Sequence, residues 1–229
     1  MSMRALAIET SSRLGSVALA EDGNTLLQDA FPHGLQHAAR IIPALHALCR
    51  QLHWTPRDIR EIYVSAGPGS FTGLRIGVTL AKTLAWATGA ALVAVPSVRV
   101  LAENAPADAK NLVIVLDAKR DQIFSASFAR LGDNWTGLLP AQLCTLPQIL
   151  AKSPRPVHLL GEGIPFHRKF IAIAETQVHI ADESLWRPRA STVARLGWRM
   201  ARNGEFTDAM NLTPIYIRRP EAEEKLDGP

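Results

Sequence analysis

The sequence predicts an α/β protein of two tandem lobes, each a mixed sheet flanked by helices, and three observations carry that prediction. Up to about residue 95, apolar runs and helical stretches alternate in the order of three antiparallel strands, helix, strand, helix, strand. A similar order begins again near Lys110, with the two halves sharing pattern rather than residue identity. Between a short β-branched run and a long apolar-periodic stretch stands the glycine-rich turn 67–73, the strand–loop–helix junction of an α/β unit.

Residues 3–10 form an apolar run that ends at Glu9, and 16–20 form a second, joined to it by Ser11-Ser12-Arg13-Leu14-Gly15. A further turn at Glu21-Asp22-Gly23-Asn24 leads into 25–31, so the chain opens with an antiparallel meander. Across 33–52, Leu35, Ala38, Ile42, Leu45, Cys49 and Leu52 recur at helical spacing. Pro43 interrupts that stripe at about 3 kcal/mol in a helix interior, which predicts a kink or a late helix start. Thr55, Pro56 and Asp58 supply an N-cap, a first-turn proline and an acid for a short helix ahead of strand 62–64. In the glycine-rich turn, Gly67, Gly69 and Gly73 permit positive φ and close backbone approach, and Ser70 or Thr72 caps a helix running to Gly89. Backbone N–H groups and a helix dipole there can face an anion. It is not a Walker loop, because no Gly-Lys-Ser/Thr follows. Residues 91–95 are a fully apolar strand stopped by Pro96.

In the second half, 111–117 is again an apolar strand ending in an acid, Asp117, followed by a turn at Ala118-Lys119-Arg120-Asp121 and a returning strand at 122–129. A turn at 131–134, a short helix at 147–152, a strand at 157–160, a helix at 165–174 and a strand at 177–181 follow, and a helix at 191–203 closes this second repeat. The stretch 104–110, with Pro106 and several small residues, reads as a linker. The division is therefore a lobe at 1–106, a smaller lobe at 107–217 and a polar tail at 218–229. Both lobes follow ribonuclease-H-like order, and tandem units of that kind with acid-ended first strands describe the superfamily of actin, sugar kinases and Hsp70-type ATPases.

An apolar fraction of 47% in 229 residues is ample for a core, and 25 Lys+Arg against 21 Asp+Glu leave a formal charge of +4. That mild basicity fits a nucleic acid or nucleotide nearby without requiring one. Cys49 and Cys144 lack the spacing of a zinc knuckle or a disulfide framework, so a reducing cytoplasm is expected. No apolar run approaches the roughly 20 residues that span a bilayer, and the stretch before Glu9 is too short for a signal-peptide core.

The residues narrow the superfamily further. ALAIETSSRLGSVALA, AGPGSFTGLRIGVTLAKTLAWATGAALVAVPSVRVLA, VLDAKRDQIFSASF, the GEG at 161–163 and the late PIYIRRP together resemble the TsaB (YeaZ) family of bacterial tRNA modification. The resemblance spans nearly the whole chain, and the GPGSFTGLRIG block is its most specific part. It implies a subunit that pairs with the paralogue TsaD and works with the ATPase TsaE. Together they support transfer of a threonylcarbamoyl group to the adenosine beside the anticodon of tRNAs that read codons beginning with A. In the family TsaD carries the catalysis, so no catalytic or metal-binding residue and no cofactor of its own is expected here, with ATP or ADP possible at the partner interface. A homodimer is expected in isolation, and no membrane association. A stand-alone ATPase or small-molecule kinase of the same superfamily is the rival.

The residues bear on that division of labour. The catalytic paralogue carries a His-x-Glu-x-His type motif after the strand that follows its glycine loop; here the two ligand positions are Ser97 and Leu101 with Arg99 between them, and a leucine coordinates no metal. Ser97 reads equally as a helix N-cap. Candidate nucleotide contacts are Glu9, Thr10, Ser11 and Ser12 in the first hairpin with Gly67, Gly69 and Ser70, whereas the second hairpin has no glycine and offers only the charges of Lys119 and Arg120. His33 and His37 stand four apart without a third ligand. Both long helices are small or apolar around much of their girth, beyond what one sheet-facing stripe needs, which makes Ala38, Ile41, Ile42, Leu45, Ile76, Leu80 and Leu84 the candidate partner interface.

Overall fold

A computed structural model describes residues 2–31, 36–171 and 176–218. They divide into two compact units: the chain up to Val100 with Pro188–Pro214, and Leu101–Arg187 with 215–218. Among the described residues, no helix is long and apolar enough to cross a membrane.

The first unit is a five-stranded sheet made of β1 (Arg4–Glu9), β2 (Gly15–Glu21), β3 (Asn24–Phe31), β4 (Glu61–Gly67) and β5 (Ala91–Pro96), in the order β3-β2-β1-β4-β5. The meander pairs antiparallel and β4 and β5 run parallel to β1. Side chains alternate across the sheet. Leu6, Ile8, Val17, Leu19, Ile62 and Val64 form the core with α1 (Gln36–Gln51) and α2 (Phe71–Thr88). Ala5, Ala7, Ala18, Ala20, Tyr63 and Val93 form a second core on the opposite face. Helix α1 already runs from Gln36 and passes through Pro43, so the helix does not start late at that proline; His33 and the side chain of His37 lie outside the described residues. Thr55 and Asp58 flank a single 3₁₀ turn at Pro56–Asp58, in which the Asp58 carboxylate accepts from the Thr55 N–H and hydroxyl, both at 2.7 Å.

The opposite face is covered by α6 (Ala190–Arg202), which the sequence assigns to the second repeat. The correction is physical: α6 docks on β1 to β5 and its first N–H groups are received by that sheet, Ala190 N–H by Ser16 Oγ at 2.9 Å and Ser191 N–H by the Gln28 side chain at 2.8 Å. Gly197 lets the helix lie against Tyr63, since a Cβ there would stand 2.3 Å from the ring. Arg202 pairs with the buried Glu61, which also accepts from the Tyr63 hydroxyl. Burial, then the Glu61 hydrogen bond, pushes that hydroxyl up, so it stays a donor. The lobe boundary at 106/107 therefore misplaces 188–214, which belong to the first unit.

The second unit holds β6 (Asn111–Ile114), β7 (Leu116–Asp117), β8 (Ile123–Leu131), β9 (Asn134–Cys144), β10 (Val157–Leu160) and β11 (Val178–Ile180), ordered β11-β10-β6-β8-β7 with β9 on β8. With β6 and β7 taken as one strand broken at Val115, this repeats the order of the first sheet. β9 was not anticipated, because Gly137 and Pro140 interrupt its alternation. Helix α4 (Leu146–Lys152) is capped by Thr145, and the helix expected at 165–174 is one short turn, α5 (Ile164–His167), followed by a 3₁₀ turn at Arg168–Phe170. Residues 172–174 of that expectation lie outside the described residues.

Candidate functional site

The glycine-rich turn packs against the β1–β2 link. Glu9 and Thr10 are wholly buried and Ser11 and Ser12 nearly so. The Glu9 Oε1 accepts from the Ser11 N–H and hydroxyl, both at 2.6 Å, which folds the link back over the end of β1. The Ser11 carbonyl in turn accepts the Ser70 N–H at 2.8 Å. Ser70 caps α2 by accepting the Gly73 N–H at 3.3 Å, and the Gly67 N–H goes to Ser97 Oγ at 3.1 Å. So the structure brings all seven candidate nucleotide contacts to one place, but the N–H groups of Gly67, Ser70 and Gly73 are engaged inside the chain.

The glycines explain this closeness. A Cβ on Gly69 would lie 2.3 Å from the Ser11 carbonyl oxygen, on Gly73 1.9 Å from that of Thr10, and on Gly77 2.2 Å from the Thr10 hydroxyl. The link therefore lies directly against the first turns of α2. Ser97 is the first residue of α3 (Ser97–Ala102), and its hydroxyl reaches back to Ser65 at 2.8 Å as well as to Gly67; Leu101 is buried.

The α1–α2 face is more open. Ile42 is 49% exposed, and Ala38 is exposed on the same helix. Ile76, Leu80 and Leu84 on α2 are half-buried. Two of the seven candidates differ from expectation: Ile41 and Leu45 belong to the lobe's own core, so Ile41 has no surface to offer a partner, and Leu45 is reached only from a cavity. That cavity, of about 370 Å³, lies between the helices and is walled by Ile42, Leu45, Cys49, Trp54, Ile59 and Leu84. Burial, then the charge of Asp58, pushes the Cys49 thiol up, so the wall is uncharged there. Trp86, 83% exposed near the end of α2, was missed. The signal was present, since Trp86 falls outside the Val78, Ala81 and Ala85 stripe that covers the sheet.

In the second unit, Gly161 and Gly163 bring the GEG turn against the β6–β7 break, where a Cβ on either would lie within 3 Å of Val115 or Asp117 backbone. Asp117 accepts the Lys119 N–H at 3.3 Å and meets His167 Nε2 at 3.1 Å. Lys119, Arg120 and Asp121 hold φ of 64°, 54° and 56°, three successive left-handed residues without a glycine among them. Such a conformation disfavours each side-chain-bearing residue by about 1–2 kcal/mol.

Comparison with known proteins puts this geometry in a family. Residues 34–226 match the family model described as TsaD, tRNA N6-adenosine threonylcarbamoyltransferase. Over 227 residues the chain is 33% identical to the tRNA threonylcarbamoyladenosine biosynthesis protein TsaB of Bacillus subtilis, across 97% of each. The chain belongs to the TsaB family. The Escherichia coli TsaB is 26% identical over 234 residues, 99% of each. YeaZ from Pseudomonas aeruginosa superposes with a TM-score of 0.77 at 22% identity over 93% of this chain and 99% of that one. A further solved structure, of a Pseudomonas aeruginosa protein with similarity to peptidase YeaZ, gives a TM-score of 0.80, also at 22% identity, over 94% and 100%. These likenesses, with two mixed sheets of matching order, give the chain the YeaZ fold.

Proposed function

We propose that this member of the TsaB family is a non-catalytic subunit of tRNA threonylcarbamoyladenosine formation. It docks on a TsaD paralogue through the outer face of α1 and α2. TsaE and tRNA join that assembly in the cytoplasm, and the tRNAs are those reading codons that begin with A. The observation that carries the reading is the exposure of Ile42 on the wall of an apolar cavity between the two helices, a face that a helix-packed partner would cover. The engagement of the glycine-turn N–H groups within the chain supports a non-catalytic role. Any ATP or ADP at the docked surface would then depend on donors from the partner. In isolation the same face pairs with a second copy.

The test mixes the full chain with a TsaD paralogue and follows association by calorimetry. Ile42→Glu should weaken it at least about tenfold, a change of about 1.4 kcal/mol, with thermal unfolding unchanged because the side chain is exposed. Undiminished association sinks the docking face. ATP turnover by the purified chain alone would favour the stand-alone ATPase or kinase reading instead.

A further inference from the structure

The β7–β8 hairpin and the α5 turn place cations and an aromatic ring on one surface of the second unit. Lys119 and Arg120 sit on the hairpin, and Arg168 and Lys169 on the adjoining 3₁₀ turn; all four are exposed. The two segments are held together, Lys169 Nζ lying 2.9 Å from Asp121 and His167 Nε2 3.1 Å from Asp117. Asp117, its side chain 19% exposed, pairs at 3.4 Å with the Nζ of Lys119, whose side chain is 82% exposed. Among the described residues, Asp117 and Asp121 pair with Lys119 and Lys169. Phe166 is 49% exposed beside them, and Lys169 lies over the Phe170 ring at 4.8 Å.

The left-handed backbone of 119–121 gives these side chains a meaning beyond charge counting. Glycine would adopt that backbone without strain, yet the positions carry Lys, Arg and Asp. The side chains, not the turn, are what the hairpin holds in place. We propose that this cation-and-aromatic surface of Lys119, Arg120, Phe166, Arg168 and Lys169 binds the phosphodiester backbone of RNA, with Phe166 as a stacking platform for an unpaired base. Arginine and lysine neutralise successive phosphates, and a flat exposed ring accepts any base. The inference rests on the tRNA role proposed above and names the surface through which this chain meets that RNA.

The test measures binding of a fluorescein-labelled anticodon stem–loop RNA to the full chain, alone and mixed with the TsaD paralogue, across a salt series. Lys119→Gly with Arg120→Gly should lower affinity at least about tenfold and flatten the log K against log salt slope by about 1.5, while the thermal midpoint holds or rises because the strain is relieved. Arg168→Gln with Lys169→Gln should act alike, and Phe166→Ser should lower affinity without changing the slope. Unchanged affinity and slope in both pairs overturn the proposal, as does complete displacement of the RNA by millimolar ATP, which would mark a nucleotide site. Lowered RNA binding with intact TsaD association supports it. Lowered RNA binding where the unaltered chain fails to associate with TsaD also supports it, and overturns the docking reading alone.

Discussion

Gly73 shows how a single missing side chain shapes the site. A Cβ there would meet the Thr10 carbonyl oxygen, which is backbone held by the sheet and unable to swing away. Gly73→Ala should therefore destabilise the chain by about 3 kcal/mol, near the upper end for overpacking. Gly137→Ala, where a Cβ meets open space, should change stability by less than about 0.5 kcal/mol. Urea unfolding of the two variants reads both. The sequence made the glycines of 67–73 visible as a tight turn but not which chain fills it, because a close approach to backbone and a close approach to phosphate need the same residue. Buried Glu9 and Thr10 were legible as the end of a strand. Their contact with the turn joins residues some sixty positions apart and leaves no local mark. The left-handed run at 119–121 left none, since Lys and Arg are not residues that favour it.

At the level of elements, strands and long helices were legible because their periods are strong, and α2 ends at Gly89 in left-handed conformation as expected. Helix α6 was found as a helix and misassigned to a repeat. The alternation that corrects it was in the sequence: β1 and β2 are apolar on both faces, α1 and α2 cover only one, and so another helix had to return. Its contact is specific at Gly197. Gly197→Ala sets a methyl against a buried tyrosine ring and should cost about 2 kcal/mol, seen as a lowered thermal midpoint. The docking face was half legible. Outward Ile42 and inward Ile41 are neighbours on one helix, and a stripe that is apolar all round does not declare which side meets the sheet.

For the whole molecule, the path of the chain matters more than the division at residue 106. The first unit is left and re-entered, with 188–214 completing it. A chain ending at residue 187 would keep every strand of the first sheet and expose Ala5, Ala7, Ala18, Ala20 and Val93 to water. Such a truncation should fail to give a cooperative unfolding transition by circular dichroism and should bind ANS. A cooperative, ANS-silent product would show that α6 is dispensable. The distance from β5 to α6 also sets a clock on the ribosome. At roughly 5–20 residues per second, some 5–20 s pass between completing the sheet and making the helix that shelters its alanine-lined side. For that interval a nascent chain carries a finished ladder with one bare apolar side, so the period of greatest risk of misassociation comes before synthesis ends.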